Sequence, residues 1–584
     1  MKDFLKMTGA SILGVFLSAI LLFFVGMLLL VGVVATTDSE VKVRDNSVMM
    51  LKLDGALTER SISNPIADFL GKEEDNMGLN DVLSAIKKAK EESNIKGLYL
   101  QMGSMGVAPA SLLEIRKALV DFKSSGKFLV AYGDSYSQGG YYLASLADKI
   151  VLNPIGAVDW KGLAAKPMFY KELLDKVGIE MQIFKVGTFK SAVEPFIMNE
   201  MSEPNRLQIT ELLSSLWGQI LTDVSASRHL SKEELSTLAD NLVSMQSAQA
   251  CVDAKLVDTL LYKDEMLSYL KELAGVDKED RLHTLEVNEM KNVNNKIAKD
   301  KSGNVIAVYY AFGGIDDGKE GTGIHSEKVM KELRGLRLDE NVKAVVFRVN
   351  SPGGSAYGSE QIWRELMLLK AEKPLIVSMG DYAASGGYYI STAADTIVAE
   401  PSTITGSIGV FGMFPNSEKL IQKVGLHFDL VKTNKYADFG SLNRPFNAGE
   451  KGFIQSNVNR TYKLFVQRCA DSRNMSTSAI EAIAEGRVWT GERAIQLGLV
   501  DVLGNLDDAI TIAKEKAGIE NYTLLSYPDK PSIFDQFKMG SSDNYITTAL
   551  TSLFGEYIDG FVWLNNLDKM DRVQARLPYQ LIIK

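Results

Sequence analysis

Two cysteines, Cys251 and Cys469, and four histidines, His229, His283, His325 and His427, are all that a chain of 584 residues holds of either type. The cysteines stand apart with no second ligand at metal spacing, so neither a metal site nor a disulfide framework is indicated; one bridge between the two stays open. None of the histidines sits in a recognisable Ser-His-Asp context, so the sequence signals no histidine base. Net charge is −9 with no long basic run, which speaks against nucleic acid as a main partner. Hydrophobic residues make up 46%, too few for a polytopic membrane protein, and only one stretch is long and apolar enough to span a bilayer.

That stretch is residues 9–35, "GASILGVFLSAILLFFVGMLLLVGVVA", which carries no charge. At about 1.5 Å per helical residue it exceeds a hydrocarbon core of ~30 Å. Lys2 and Lys6 precede it, and Thr36, Thr37, Asp38 and Glu40 follow. The positive-inside rule then predicts a cytoplasmic tail over 1–8, a transmembrane anchor over 9–35 and everything after Ala35 outside. A cleaved signal peptide is the rival reading, but its apolar core runs to only about 7–15 residues.

The rest of the chain says the same thing twice. "GDYAASGGYY" at 380–389 answers "GDSYSQGGYY" at 133–142, an offset of 380 − 133 = 247. The same offset aligns "NVKAVVFRVNSPG" at 341–353 with "NIKGLYLQMGSMG" at 94–106, and "ADTIVAEP" at 394–401 with "ADKIVLNP" at 147–154. One offset held over some ninety residues is a tandem duplication. Each copy alternates short apolar runs bounded by Gly, Pro or charge with helical patterns such as 109–126, where Leu112, Ile115, Leu119 and Phe122 share a face before Gly126. Such alternation predicts α/β lobes with a largely parallel sheet. The expected division is an N-terminal lobe over 47–286, a polar, aperiodic linker over 287–304, a C-terminal lobe over 305–530 and a C-terminal extension over 531–584.

The copies differ where chemistry is expected. The second has "NSPGGS", Asn350 to Ser355, and "AASGGYY" around Ser385, each a Gly-rich turn after a strand. Ser385 falls at a strand-to-helix junction, where first-turn amides lack internal partners. Amides of Gly354 and Gly386 could form an oxyanion hole beside it. The first copy has Gln138 in place of Ser385, and Met105, Gly106 and Val107 in place of the Pro-Gly-Gly. A helix cap or packing glycine would serve equally in both lobes, so the asymmetry favours a nucleophile over a cap. A serine nucleophile needs a base, and a buried lysine can serve. Lys190, in "FKVGTFKSAVEPF" at 184–196, is the candidate, with Lys185 a nearby competitor; 190 + 247 = 437 falls on Ala437. One lobe has the lysine and the other the serine, so the two would share a Ser/Lys pair.

"GDYAASGGYYISTAADTIVAEPSTITGSIGV" and "GTFKSAVEPF" resemble the long, two-lobed form of bacterial signal peptide peptidase A, over nearly the whole chain. The resemblance implies two tandem crotonase/ClpP-like α/β lobes behind one N-terminal transmembrane helix. It implies Ser385 as nucleophile, Lys190 as general base and Ser407 of "TGSIGV" as the residue that orients the lysine. It also implies a homo-oligomer, a tetramer in the long form, that digests signal peptides and other apolar peptides at the outer face of the bacterial inner membrane. No metal or other cofactor is expected. Two alternatives are a crotonase-type acyl-CoA enzyme, which holds an oxyanion on amides without a serine nucleophile, and a non-catalytic membrane scaffold, whose mark would be a missing serine or lysine.

Overall fold

Both lobes are built on predominantly apolar central runs, as strands covered on both faces are. Leu375–Ala384 is buried at every position, and Phe128–Gly133 at all but its first. The computed structural model describes residues 7–9, 11, 13–18, 20–22, 41–61, 76–293, 300, 302–318, 323–529 and 573–576. Of the apolar stretch 9–35, only helical residues up to 22 are among these; the rest of the anchor expected there lies outside the described residues. Among the described residues, no helix is long and apolar enough to cross a membrane.

The first sheet runs, in spatial order, Asn76–Gly78, Ser47–Thr58, Ile95–Gly106, Phe128–Gly133, Lys149–Leu152 and Thr259–Leu260, with Thr284–Leu285 also on Ser47–Thr58, and every pairing is parallel. A second sheet repeats the central order as Val305–Phe312, Val342–Ser351, Leu375–Ala384, Thr396–Ala399 and Val502–Leu503, again in parallel. The duplication extends to the helices. Pro109–Lys123 has its counterpart in Ala356–Lys370, and the long helix Glu203–Arg228 in Ala448–Arg473. Pro109 opens its helix at a position with no internal hydrogen bond to lose, and Leu112, Ile115, Leu119 and Phe122 are buried along one face. The two long helices start on side-chain caps: Ser202 accepts from the Asn205 amide, and Asn447 forms a reciprocal box with Glu450.

Each lobe has its own core, one including Leu51, Ile115, Phe122 and Trp160, the other Phe347, Leu366, Tyr388 and Phe465. Cys251 belongs to the first and Cys469 to the second, both as free thiols, so the bridge left open by the sequence does not form. The segment read as a linker, 287–304, begins with the helix Val287–Lys291. Met290 is fully buried in the first core, and the Lys88 ammonium donates to the carbonyls of Met290, Lys291 and Val293. Its polar composition hid two residues of the first core, Met290 and Val293.

The lobes meet through buried charge. Arg348 of the second lobe donates from Nε and Nη2 to Glu59 and from Nη2 to Glu114 of the first, the last at 2.6 Å, with all three side chains at most 4% exposed. Asp381 accepts from the amide and hydroxyl of Ser111, both at 2.8 Å. Removing one member of such a network strands the others without water, which costs about 3–5 kcal/mol. A third, six-stranded sheet joins the lobes further on: Glu180–Val186 of the first pairs antiparallel with Val410–Asn416 of the second. This pairing sets up the site.

Candidate active site

The antiparallel register places Val186 opposite Val410. Lys190 lies four residues beyond Val186, and Ser407 three residues before Val410, so the register brings the two side chains to one place. The backbone then locks the lysine loop onto the second lobe. Phe189 N donates to the Glu485 carbonyl at 2.9 Å, Gly486 N to Ile408, and Ser407 N to Arg487. Gly486, at φ +79°, lies flat against Lys190: a Cβ there would stand 2.7–2.8 Å from the Cβ, Cα and N of Lys190.

Ser385 closes the strand Leu375–Ala384 and opens the helix Gly386–Ser391. Its backbone sits at φ +56°, ψ −113°, the first central position of a type II′ turn, which a non-glycine residue adopts at a cost of about 1–3 kcal/mol. The Ser385 amide donates to the Gly406 carbonyl at 2.8 Å, tying the turn to the segment that carries Ser407. Ser407 also has positive φ, +51°. Two strained serines face one lysine, and their surroundings hold them there.

Nζ of Lys190 lies 2.8 Å from Ser385 Oγ, 3.0 Å from Ser407 Oγ and 3.2 Å from the Ser407 carbonyl oxygen. Ser385 is fully buried, and Lys190 and Ser407 are 1% exposed. Burial pushes the Lys190 ammonium down to about 7, because a charge away from water with only neutral oxygens around it is costly. A lysine that is half neutral near pH 7 can accept a proton, and the nearest proton is on Ser385. Lys185, the competing lysine, instead lies on the strand Glu180–Val186, opposite Phe411.

The glycine turn follows Ser351. Gly353, at φ +97°, lies against Gly386: a Cβ on Gly353 would come 2.7 Å from the Gly386 amide nitrogen. The Gly353 amide donates to Ser351 Oγ at 3.1 Å, and Gly354, the next residue, lies in the sheet opposite Ile315. In the first lobe Gln138 does different work. Its carbonyl oxygen accepts from the amides of Lys161 and Gly162, and its amide group donates to the Gly162 carbonyl. The glutamine pins a loop where the second lobe has Ser385.

Sequence reasoning missed the strand Glu180–Val186 as the element that delivers the lysine, and it missed the charged network under the site. Asn350, three residues before Gly353, donates to both Glu59 and Asp381, and its own carbonyl oxygen accepts from the Tyr382 amide. The signal available was the isolated Arg348 inside the apolar run "AVVFRV", a charge that a buried strand tolerates only when paired.

A serine on a strained strand-to-helix turn, facing a buried lysine of lowered pKa and flanked by a glycine turn, is an arrangement able to carry out serine-hydrolase chemistry. Comparison with known proteins narrows the class. The profile described as "Peptidase family S49" matches residues 121–277 and 367–520, once in each lobe. "Protease 4" of Salmonella typhi is 39% identical over 504 residues, 83% of this chain and 81% of its own length. "Serine protease SPPA, chloroplastic" of Arabidopsis thaliana is 32% identical over 82% of this chain and 70% of its own. A solved ClpP1 mutant from Listeria monocytogenes matches 35% of this chain and 94% of its own at 16% identity and a TM-score of 0.25, too slight a likeness to bear on the fold. The chain belongs to peptidase family S49, as a serine protease with two tandem S49 domains. Membership displaces the acyl-CoA and scaffold readings.

Proposed function

We propose that the protein is a membrane-anchored endopeptidase that cleaves apolar peptides, remnant signal peptides among them, through a Ser385/Lys190 pair shared by its two lobes. The observation that carries this reading is the 2.8 Å approach of Lys190 Nζ to Ser385 Oγ in a buried site. Neutral Lys190 takes the hydroxyl proton as Ser385 Oγ attacks the scissile carbonyl. Amides of Gly354 and Gly386 receive the oxyanion. The lysine then protonates the leaving amine, and water, deprotonated by the same lysine, releases the acyl group from Ser385. Ser407 holds the ammonium by its hydroxyl and carbonyl, which fixes the direction in which Nζ points. No step calls for a metal or other cofactor.

The uncharged stretch 9–35 and the flanking Lys2 and Lys6 support an anchor in the bacterial inner membrane with the lobes on the outer face, where apolar peptides left in the bilayer are within reach. A ring of copies extends the same reading. Within the chain, 180–186 pairs with 410–416. Its counterparts by the repeat, 180 + 247 = 427 to 433 and 410 − 247 = 163 to 169, are not strands. Around the first of these Val424, Leu426, Phe428, Leu430 and Val431 are all more than half exposed. Pairing 427–433 of one copy with 163–169 of the next would repeat the interlobe contact head to tail and close a ring, four copies by resemblance.

The test is turnover of a fluorogenic apolar peptide by full-length protein in detergent. Ser385→Ala and Lys190→Ala are each expected to lose at least about a thousandfold in kcat, as removal of one member of such a unit does. Retention of more than a few per cent by Ser385→Ala overturns the assignment.

A further inference from the structure

The strand Leu375–Ala384 does not run in even register to Ser385. It pairs in parallel with Val342–Ser351 as far as Val349 opposite Met379, and pairing resumes with Ser351 opposite Ala383. Asn350 therefore faces three residues, Gly380, Asp381 and Tyr382, and the longer strand bulges there. Ser385 stands three residues past the bulge. The Asn350 side chain braces it: the carbonyl oxygen accepts from the Tyr382 amide at 3.1 Å, and the amide group donates to Asp381 at 3.1 Å.

The first lobe grips each residue of the bulge in turn. The Glu59 carboxylate accepts from Asn350 at 2.9 Å and lies so close to Gly380 that a Cβ there would stand 2.5 Å from its oxygen. Asp381 accepts from the amide and hydroxyl of Ser111, the third residue of the helix Pro109–Lys123. That helix starts on Ala108, whose side chain makes no cap, so a carboxylate of the second lobe serves as one. Tyr382 and Ala384 share an apolar cluster with Leu212 and Leu216 of the helix Glu203–Arg228. The repeat sharpens the point. By its offset, 350 − 247 = 103 and 348 − 247 = 101, so the first lobe has Gly103 in place of Asn350 and Gln101 in place of Arg348. Asp134, the counterpart of Asp381, is exposed and bonds within its own lobe, to Tyr132 and Asn153. The lobe that lacks the serine lacks the brace.

We propose that Asn350, Asp381 and Ser111 are positioning residues for Ser385: through them the first lobe, besides supplying Lys190, fixes the strand from which the nucleophile turn hangs. This rests on the Ser385/Lys190 reading above. The three act through the backbone of 380–385 and not on the substrate. Serine and lysine then reach their 2.8 Å contact by two tethers to one lobe, the lysine loop on one side and Ser111 with Glu59 on the other. A misplacement of about 1 Å between such groups costs about a hundredfold in rate. The rival is a network that only stabilises the lobe contact.

Full-length variants separate the two. Ser111→Ala removes the hydroxyl and keeps the amide, and Asn350→Ala removes the brace. At a temperature where circular dichroism shows each variant folded, kcat for a fluorogenic apolar peptide should fall roughly tenfold in the first and up to about a hundredfold in the second, with KM within about twofold. Labelling of Ser385 by a fluorophosphonate should slow in parallel. Ser111→Thr restores the hydroxyl and should recover roughly half or more of the wild-type kcat. Gln138→Ala, which loosens the loop at Lys161 and Gly162 instead, is the control for lost stability in the first lobe. A lower unfolding temperature in Ser111→Ala and Asn350→Ala, with kcat and labelling changed no more than in Gln138→Ala, would overturn the proposal. So would an equal loss of kcat in Ser111→Ala and Ser111→Thr. Should Asn350→Ala not fold, the two Ser111 variants decide alone. Failure of the Ser/Lys reading looks different: Ser385→Ala would then keep its turnover whatever these variants do.

Discussion

Lys190→Met is the substitution on which the site can be worked through in numbers. Methionine keeps the length and apolar stem of the lysine and removes only the titrating nitrogen. With its pKa brought from 10.5 to about 7, roughly half of Lys190 is neutral at pH 7, against about three in ten thousand for an ordinary lysine. The wild-type kcat/KM should therefore rise with pH through one inflection near 7 and level off above it, and Lys190→Met should show neither the rise nor significant turnover. Stability carries the complementary signal. An unfolded lysine holds its proton up to about 10.5, whereas the folded site releases it near 7, so between these values the unfolded state binds more protons and stability rises with pH. Below pH 7 the full penalty applies, at most about 5 kcal/mol from the pKa difference. Hydrogen bonds to Ser385 and Ser407, about 1 kcal/mol each, offset part of it. Lys190→Met should then be more stable than wild type by a few kcal/mol at pH 6, with the gap closing toward pH 10. Denaturant unfolding across that range measures the gap, and a fluorogenic peptide assay measures the profile. A gap that does not change with pH, or an activity inflection above pH 9, would refute the argument that burial tunes the lysine.

Four further substitutions probe the lysine loop, the interlobe charge network and the first lobe's glutamine. Gly486→Ala places a methyl 2.7–2.8 Å from the Lys190 backbone and Cβ at a positive φ, so kcat should fall at least about tenfold while the melting temperature drops modestly. Arg348→Ala leaves Glu59 and Glu114 buried without their partner and should cost about 3–5 kcal/mol by denaturant unfolding, far more than Glu59→Gln, which keeps the shape and removes one charge. Gln138→Ala strands the amides of Lys161 and Gly162 and should cost about 1–3 kcal/mol of stability, with kcat within twofold of wild type.

The parts legible in the sequence were those written into local pattern or into the repeat. Apolar runs such as "PLIVSMG" are strands, 109–126 contains the helix Pro109–Lys123, and the repeat aligns the central strands of the two sheets. Ser385 and Lys190 stood out because each is missing from the other lobe, and the structure places them in hydrogen-bond contact. What stayed hidden depends on contacts between the lobes. The segment 180–186 is a strand whose duplicate, 427–433, is not, because only the first finds a partner in Val410–Asn416. The same holds for Val573–Arg576, four residues of no special composition that become a strand between two others. Arg348, Glu59 and Glu114 lie on separate elements of two lobes, and no spacing rule connects them.

The central claim is that Lys190 of one lobe activates Ser385 of the other. The most direct measurement is fluorophosphonate labelling read out by peptide mass spectrometry, on wild type, Lys190→Met and each single histidine variant. The account predicts one adduct, on Ser385, in wild type and in all four histidine variants, with the labelling rate rising through pH 7 and reduced at least about a hundredfold in Lys190→Met. An adduct on another residue, or equal labelling of Ser385 with and without the lysine, would contradict it.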